Sequence, residues 1–285
     1  MEIIDAQLHE VASHKPWPHG EDSRLTASVE LSREAMDSVG VDMALLSAGL
    51  EFCEHAIARY PDRFVGAVST GYKEPDLKET IAGYVGRPGI LAIRTGIIDW
   101  RTATLTDDYR AGAVEPLFKA AEDLAVPVFV FASGQAQALG DIAREHPGLQ
   151  LVIDHIGLPQ PTPMTVGSDP WEGLPVVNGL AKYPNIAVKF SAAQTLSREP
   201  YPHKDVWPHL HKMISAFGPD RLMWGSDMTR LRMTPGTTDR GPREVWASSY
   251  ADCVGYLRDT DELSAADKEM IFSGTIRRIL KWPRV

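Results

Sequence analysis

Residues 149–155 read Leu149-Gln150-Leu151-Val152-Ile153-Asp154-His155, a short apolar run that stops on an acid and an imidazole. The run is too brief for a helix, and its apolar residues are consecutive instead of alternating with polar ones. A strand covered on both faces, as in a parallel sheet, has that pattern. Moving outward, comparable runs appear at 126–132, 89–95, 63–69, 41–47 and 3–9 on one side and at 185–191 and 221–227 on the other. The stretches between them read as helices at 28–38, 50–60, 113–125, 134–146 and 205–217, and several stop at Gly or Pro as helices do. Eight strands alternating with helices predict a (β/α)8 barrel, and 285 residues suit the ~250 typical of one such domain, taken as 1–285. The other fold with this alternation is an open doubly wound sheet. The count of eight and the lack of a GxGxxG turn after the first run argue against it.

Composition removes several classes of function. Hydrophobic residues make up 44% of the chain and charged residues 24%, which suits a packed globular protein. A formal net charge of -9 argues against nucleic acid and anionic membrane as partners, since both reward clustered Lys and Arg. Cys53 and Cys253 form no ligand spacing and are too few to staple a fold of this size, so a reducing compartment is expected. Met1-Glu2-Ile3-Ile4-Asp5 is not a basic segment leading into an apolar one, and nowhere are ~18 uncharged apolar residues consecutive. The expectation is a cytoplasmic protein acting on a small molecule, with homo-oligomerisation left open.

Barrels of this kind do their chemistry at the C-terminal ends of the strands, and there the polar residues gather. The first run ends with Gln7 and His9, which the period of two sends to one face. The fourth supplies Arg94, the sixth Asp154 and His155, the seventh Lys189 and Ser191, and the eighth Asp227. Singly, each has a structural reading: His9 and Gln7 as hydrogen-bonded core residues, Asp227 as a turn cap, Lys189 as partner of a buried acid, Arg94 as a brace. Together, two imidazoles, an acid and two cations from five strands are a costly burial for structure alone. The long segments after these strands carry Trp17, Tyr72, Trp100 and Trp171, candidates to wall a flat ligand, and Arg230 and Arg232, candidates to hold an anion.

Three segments carry a resemblance. Ile4-Asp5-Ala6-Gln7-Leu8-His9, Leu151-Val152-Ile153-Asp154-His155-Ile156-Gly157 and Gly218-Pro219-Asp220-Arg221-Leu222-Met223-Trp224-Gly225-Ser226-Asp227 resemble the strand 1, 6 and 8 motifs of the amidohydrolase-related group of the amidohydrolase superfamily. That group includes 2-pyrone-4,6-dicarboxylate lactonase, sugar lactonases and metal-dependent aromatic acid decarboxylases. Asn185-Ile186-Ala187-Val188-Lys189-Phe190-Ser191 is similar to its strand 7, and the order holds from residue 3 to about 280. Two departures stand out. The usual first His of a His-x-His pair is Gln7, and the run 126–132 ends in Phe131 and Ala132 where metal-dependent relatives place a His. Only His9, His155 and Asp227 remain as ligands for Zn²⁺ or Mn²⁺.

The resemblance therefore implies a lactonase without a metal cofactor. Asp227 would be the general base, with His9, His155 and Lys189 polarising the carbonyl. Arg94 would grip a substrate carboxylate, helped by Arg230 and Arg232, with Gln7, Ser191 and Trp17 lining the pocket. The alternatives are a metal-dependent non-oxidative decarboxylase and a barrel that only binds its ligand.

Overall fold

The computed structural model describes residues 1–11, 20–99, 102–159, 169–228 and 249–283. Strands β1 (Ile4–Leu8), β2 (Met43–Ala48), β3 (Phe64–Ser69) and β4 (Ile90–Gly96) are followed by an antiparallel ribbon of β5 (Ile98–Asp99) and β6 (Thr104–Leu105). Then come β7 (Val128–Phe131), β8 (Leu151–Ile153), β9 (Ile186–Lys189) and β10 (Leu222–Met223). Without the ribbon, eight strands form one parallel sheet in the order β1-β2-β3-β4-β7-β8-β9-β10. Its two ends meet. Ala6 N–H donates to the Trp224 carbonyl (3.1 Å) and Asp227 N–H to the Gln7 carbonyl (3.0 Å), which closes the sheet into the expected (β/α)8 barrel.

The continuous apolar runs split into two layers because successive side chains point to opposite faces. Ile4, Ala6, Leu45, Ala67, Ala92, Phe129, Val152, Ala187 and Met223 fill the barrel interior. Their neighbours Leu46, Val68, Ile93, Val130, Ile153, Val188 and Leu222 pack outward against the helices. Ile276, Ile279, Leu280 and Trp282 join the interior cluster from the C-terminal end of the chain. Arg277 ties that segment to Glu2, so apolar packing closes the end of the barrel where the strands start. The other end is left for polar groups.

Two differences from the sequence reading shape that end. The β1–β2 register slips between Asp5 and Leu8, so Leu8 joins the outer layer although its parity matches Ile4 and Ala6. The bulge explains why Asp5 and Gln7, two residues apart, serve different partners. Secondly, of the run 221–227 only Leu222–Met223 keeps ladder pairing. Gly225 is the reason the chain can pass so close to β1: a Cβ there would stand 2.9 Å from Gln7 Cβ and 3.3 Å from Ser191 Cβ. Helix starts also shift, with Glu21–Val39 longer than predicted and Ala138–Glu145 shorter.

Gly225→Ala tests this closure. The added methyl cannot be absorbed without moving β1, and such overpacking typically costs about 1–3 kcal/mol. Thermal unfolding should show Tm lowered by roughly 3–10 °C at this chain length. An unchanged Tm would mean that the β1–β10 seam yields.

Candidate active site

At the open end the structure buries a small set of charges. Asp154 follows β8 with no exposed surface, and it is held between two cations: Lys189 Nζ lies 3.0 Å from Oδ1, and Arg94 Nε donates to Oδ2 at 2.7 Å. Burial alone would raise the Asp154 carboxyl, but Lys189 and Arg94 hold it well below the usual carboxylate range. Burial, helped by Arg94, pushes the Lys189 ammonium below its ordinary range although Asp154 opposes the shift. Each cation also rests on an aromatic face: Lys189 Nζ lies 4.2 Å from the Phe129 ring centre, and the Arg94 guanidinium 5.7 Å from that of Phe131.

From Lys189 a chain of contacts runs to the base. Lys189 Nζ donates to Gln7 Oε1 at 2.5 Å, which fixes the amide so that its nitrogen faces His9 Nε2 at 2.8 Å. On the far side of that ring, Nδ1 lies 2.6 Å from the Ser47 carbonyl. A carbonyl only accepts, so Nδ1 donates to Ser47, and the Gln7 amide nitrogen donates to the lone pair at Nε2. Asp227 Oδ1 lies 3.2 Å from the same Nε2. The carboxylate and the imidazole therefore lie side by side at the barrel mouth.

His155 completes the group. Its Nδ1 stands 3.2 Å from Ser191 Oγ and 3.8 Å from Asp227 Oδ2, with the ring edge-on to Phe131. Ser191 Oγ also accepts the His155 backbone N–H at 3.2 Å. His155, Ile156 and Asp227 have φ of 51°, 60° and 53°, left-handed values that cost non-glycine residues of order 1–3 kcal/mol each. Neither His155 nor Asp227 lies on a regular strand as the sequence reading had it. The turn after each strand re-aims the side chain over the barrel mouth.

The residues expected from the sequence thus fall into groups. Gln7, His9, Arg94, His155, Lys189, Ser191 and Asp227 come together, but Lys189 has no exposed surface and meets Gln7 and Asp154 instead of opening to the pocket. Trp17, Trp100, Arg230 and Arg232 lie outside the described residues. Trp171 is 5% exposed and stacked on His209 with ring centres 4.4 Å apart, while Tyr72 donates to Asp108. Both hold loops in place and do not wall a ligand. Sequence reasoning offered Lys189 as partner of a buried acid and Arg94 as a brace without naming Asp154 as the partner, and it gave no role to Asp5, which accepts from Ser226 and Tyr250. An acid inside an apolar strand was the available signal, since a buried carboxylate must find donors.

The fit to a metal follows from the donors. His9 Nε2 and Asp227 Oδ1 are spaced like two ligands of one ion, but His155 Nδ1 is turned to Ser191, and Gln7 presents nitrogen, not oxygen. Among the described residues no group of three or more His, Cys, Asp and Glu is arranged to hold a metal. A catalytic zinc site takes three protein ligands, and among the described residues His9 and Asp227 stand 3.2 Å apart while His155 lies 3.8 Å from the other Asp227 oxygen and 3.2 Å from Ser191.

Comparison with known proteins agrees with the architecture. The family model described as Amidohydrolase matches residues 4–282. Over 197 residues the chain is 32% identical to the L-fucono-1,5-lactonase of Burkholderia ambifaria, covering 66% of this chain and 64% of that protein. The match thus spans just under two thirds of that relative's length. An amidohydrolase of Burkholderia multivorans with bound zinc superposes with a TM-score of 0.75 over 99% of this chain and 100% of the other, at 19% identity. A putative 2-pyrone-4,6-dicarboxylic acid hydrolase of Pseudomonas putida gives 0.70 over 100% and 99%, at 18% identity. At these identities the two structures show the shared fold. Among the described residues no helix is long and apolar enough to cross a membrane.

The buried triad of charges generates a prediction about acid. Asp154→Asn leaves two buried cations without a counter-ion and should cost about 3–5 kcal/mol at pH 7. Because the native carboxyl titrates below its unfolded counterpart, its contribution is present above about pH 4 and is lost as pH falls through the native value. Urea unfolding of variant and wild type should therefore differ by a constant amount from pH 8 to pH 5 and by less below pH 4. A gap that stays constant down to pH 3 would show that Asp154 is not ionised in the fold.

Proposed function

The chain belongs to the amidohydrolase family, and from that premise we propose that it hydrolyses a lactone or similar cyclic ester that carries a carboxylate. The observation that carries the reading is the pairing of Asp227 Oδ1 with His9 Nε2 at 3.2 Å. Lactone as the substrate class is supported by the relative named L-fucono-1,5-lactonase. Asp227 takes a proton from water as the water oxygen attacks the ring carbonyl, with the His9 ring held beside it. The tetrahedral oxyanion meets the His155 imidazole, a task worth roughly 3–4 kcal/mol for one well-placed donor. Collapse breaks the ring C–O bond, and the proton held on Asp227 passes to the departing alkoxide, so one water is consumed per ester opened.

Arg94 spends its Nε on Asp154, and among the described residues its two terminal amines have no partner. They form a planar fork suited to a carboxylate. Lys189 and Gln7 position His9 and do not touch the substrate in this scheme. The proposal takes no resident metal, a reading supported by the lack, among the described residues, of three His, Cys, Asp or Glu side chains arranged around one point.

A panel of lactones with and without a ring carboxylate, followed by acid release, tests the reading. Turnover should survive exhaustive chelation, and Asp227→Asn should lower kcat by about 10³-fold or more with the fold intact. Stoichiometric Zn²⁺ or Mn²⁺ whose removal stops release of CO₂ from an aromatic acid would replace it with the decarboxylase reading. Tight binding of lactones without turnover would leave a ligand-binding barrel.

A further inference from the structure

Asp5 lies on β1 with no exposed surface, and all its acceptor positions are taken. Oδ1 accepts the backbone N–H of Gln7 at 2.9 Å and of Ser226 at 2.8 Å. Oδ2 accepts the Ser226 hydroxyl at 2.5 Å and the Tyr250 hydroxyl at 2.9 Å. A carboxylate has about four lone-pair sites, so the set is complete. Burial outweighs these donors and pushes the carboxyl up to about 6. Its surroundings stabilise it with neutral donors alone. An uncharged amide would avoid that desolvation, yet it could accept only two of the four bonds.

The partners explain why a carboxylate is kept. Ser226 Oγ, while donating to Asp5, accepts the Met228 backbone N–H at 3.0 Å. Asp227 N–H donates to the Gln7 carbonyl at 3.0 Å, and Gln7 N–H is one of the four donors on Asp5. The residues before and after Asp227, and the residue that holds Asp227 itself, are thus all tied to one carboxylate. Asp227 has φ of 53°, a left-handed conformation that persists only where the surroundings over-determine it.

We propose that Asp5 is a positioning residue, whose four hydrogen bonds hold the Gly225–Met228 turn so that the Asp227 carboxylate stays against His9. It touches neither substrate nor reacting atoms and acts through Ser226 and Gln7. The inference rests on Asp227 being the base, and its test therefore includes a readout that does not depend on turnover.

Tyr250→Phe removes one donor and no bulk, and Asp5→Asn removes two acceptors at constant size. Amide hydrogen exchange at residues 225–228 should speed up by about tenfold in Tyr250→Phe and more in Asp5→Asn, while exchange in β3 and β4 stays at the wild-type rate. On whichever lactone the wild type opens, kcat should fall about fivefold in Tyr250→Phe and at least a hundredfold in Asp5→Asn, with KM within threefold of wild type. Should Asp5→Asn fail to fold, Tyr250→Phe carries both readouts. Faster exchange with no lactone opened by the wild type would keep the latch and remove the lactonase reading. Wild-type exchange at 225–228 in Tyr250→Phe, or an equal rise across the whole barrel, overturns the proposal. A loss of kcat/KM that lies wholly in KM overturns it too.

Discussion

One buried carboxylate, Asp154, holds the catalytic end of this barrel together. Apolar side chains can fill the lower two-thirds of such a barrel without help, but the upper layer contains Lys189 and Arg94, whose charges could not be buried unpaired. Asp154 answers both at once with a different oxygen for each. The pairing does more than neutralise. With Nζ drawn toward Asp154, Lys189 can reach Gln7 with one further proton, and the amide of Gln7 is thereby oriented. The tautomer of His9 then follows from Ser47 on one side and Gln7 on the other. A single interaction thus fixes, through three side chains, where the lone pair of the imidazole points.

The second constraint is steric and acts at the seam where the sheet closes. β10 must approach β1 closely enough for backbone bonds from Ala6 and Asp227, and Gly225 makes that approach possible by having no side chain. The chain then turns through a left-handed Asp227. His155 reaches the mouth by the same device after β8. In both cases the strand delivers the residue to the correct end of the barrel, and a strained turn aims its side chain. Rigid scaffold and local strain divide the work, which is how active sites hold geometry to fractions of an ångström.

This division explains what could be read from the sequence. Runs such as 149–155 announce parallel strands because both layers demand apolar residues, and the strand ends announce the candidate site because polar groups stop such runs. Gln7, His9, Arg94, His155, Lys189, Ser191 and Asp227 were therefore legible as a set. Their partners were not. The β1 bulge breaks the parity that would have placed Asp5 beside Gln7, and bulges leave no mark in a pattern of single residues. Nor does a linear pattern reveal that Asp154 will sit between Lys189 and Arg94, because the two cations lie on separate strands, the acid follows a third, and only the register brings each cation within 3.0 Å of it. Tyr250, far along the chain, gave no signal at all.

The charge count at the mouth bears on how such a site would favour a transition state over a bound ester. The protein carries a net charge of -9, but at physiological salt, charges beyond about 8 Å are largely screened, so the buried groups decide the local field. Among the described residues Lys189 and Arg94 stand as two positive charges against the carboxylates of Asp154 and Asp227. In the proposed reaction Asp227 takes a proton from water. Its charge disappears at the moment the ring carbonyl oxygen acquires one, and the mouth then holds two cations against Asp154 alone. The field of the site thus shifts by one positive charge as the oxyanion forms. An uncharged ester feels little of it, whereas the tetrahedral adduct feels all of it, and a difference of that kind between ground state and transition state is what accelerates a reaction. The arrangement demands that Lys189 and Arg94 stay fixed while the proton moves, and the buried Asp154 between them keeps them fixed.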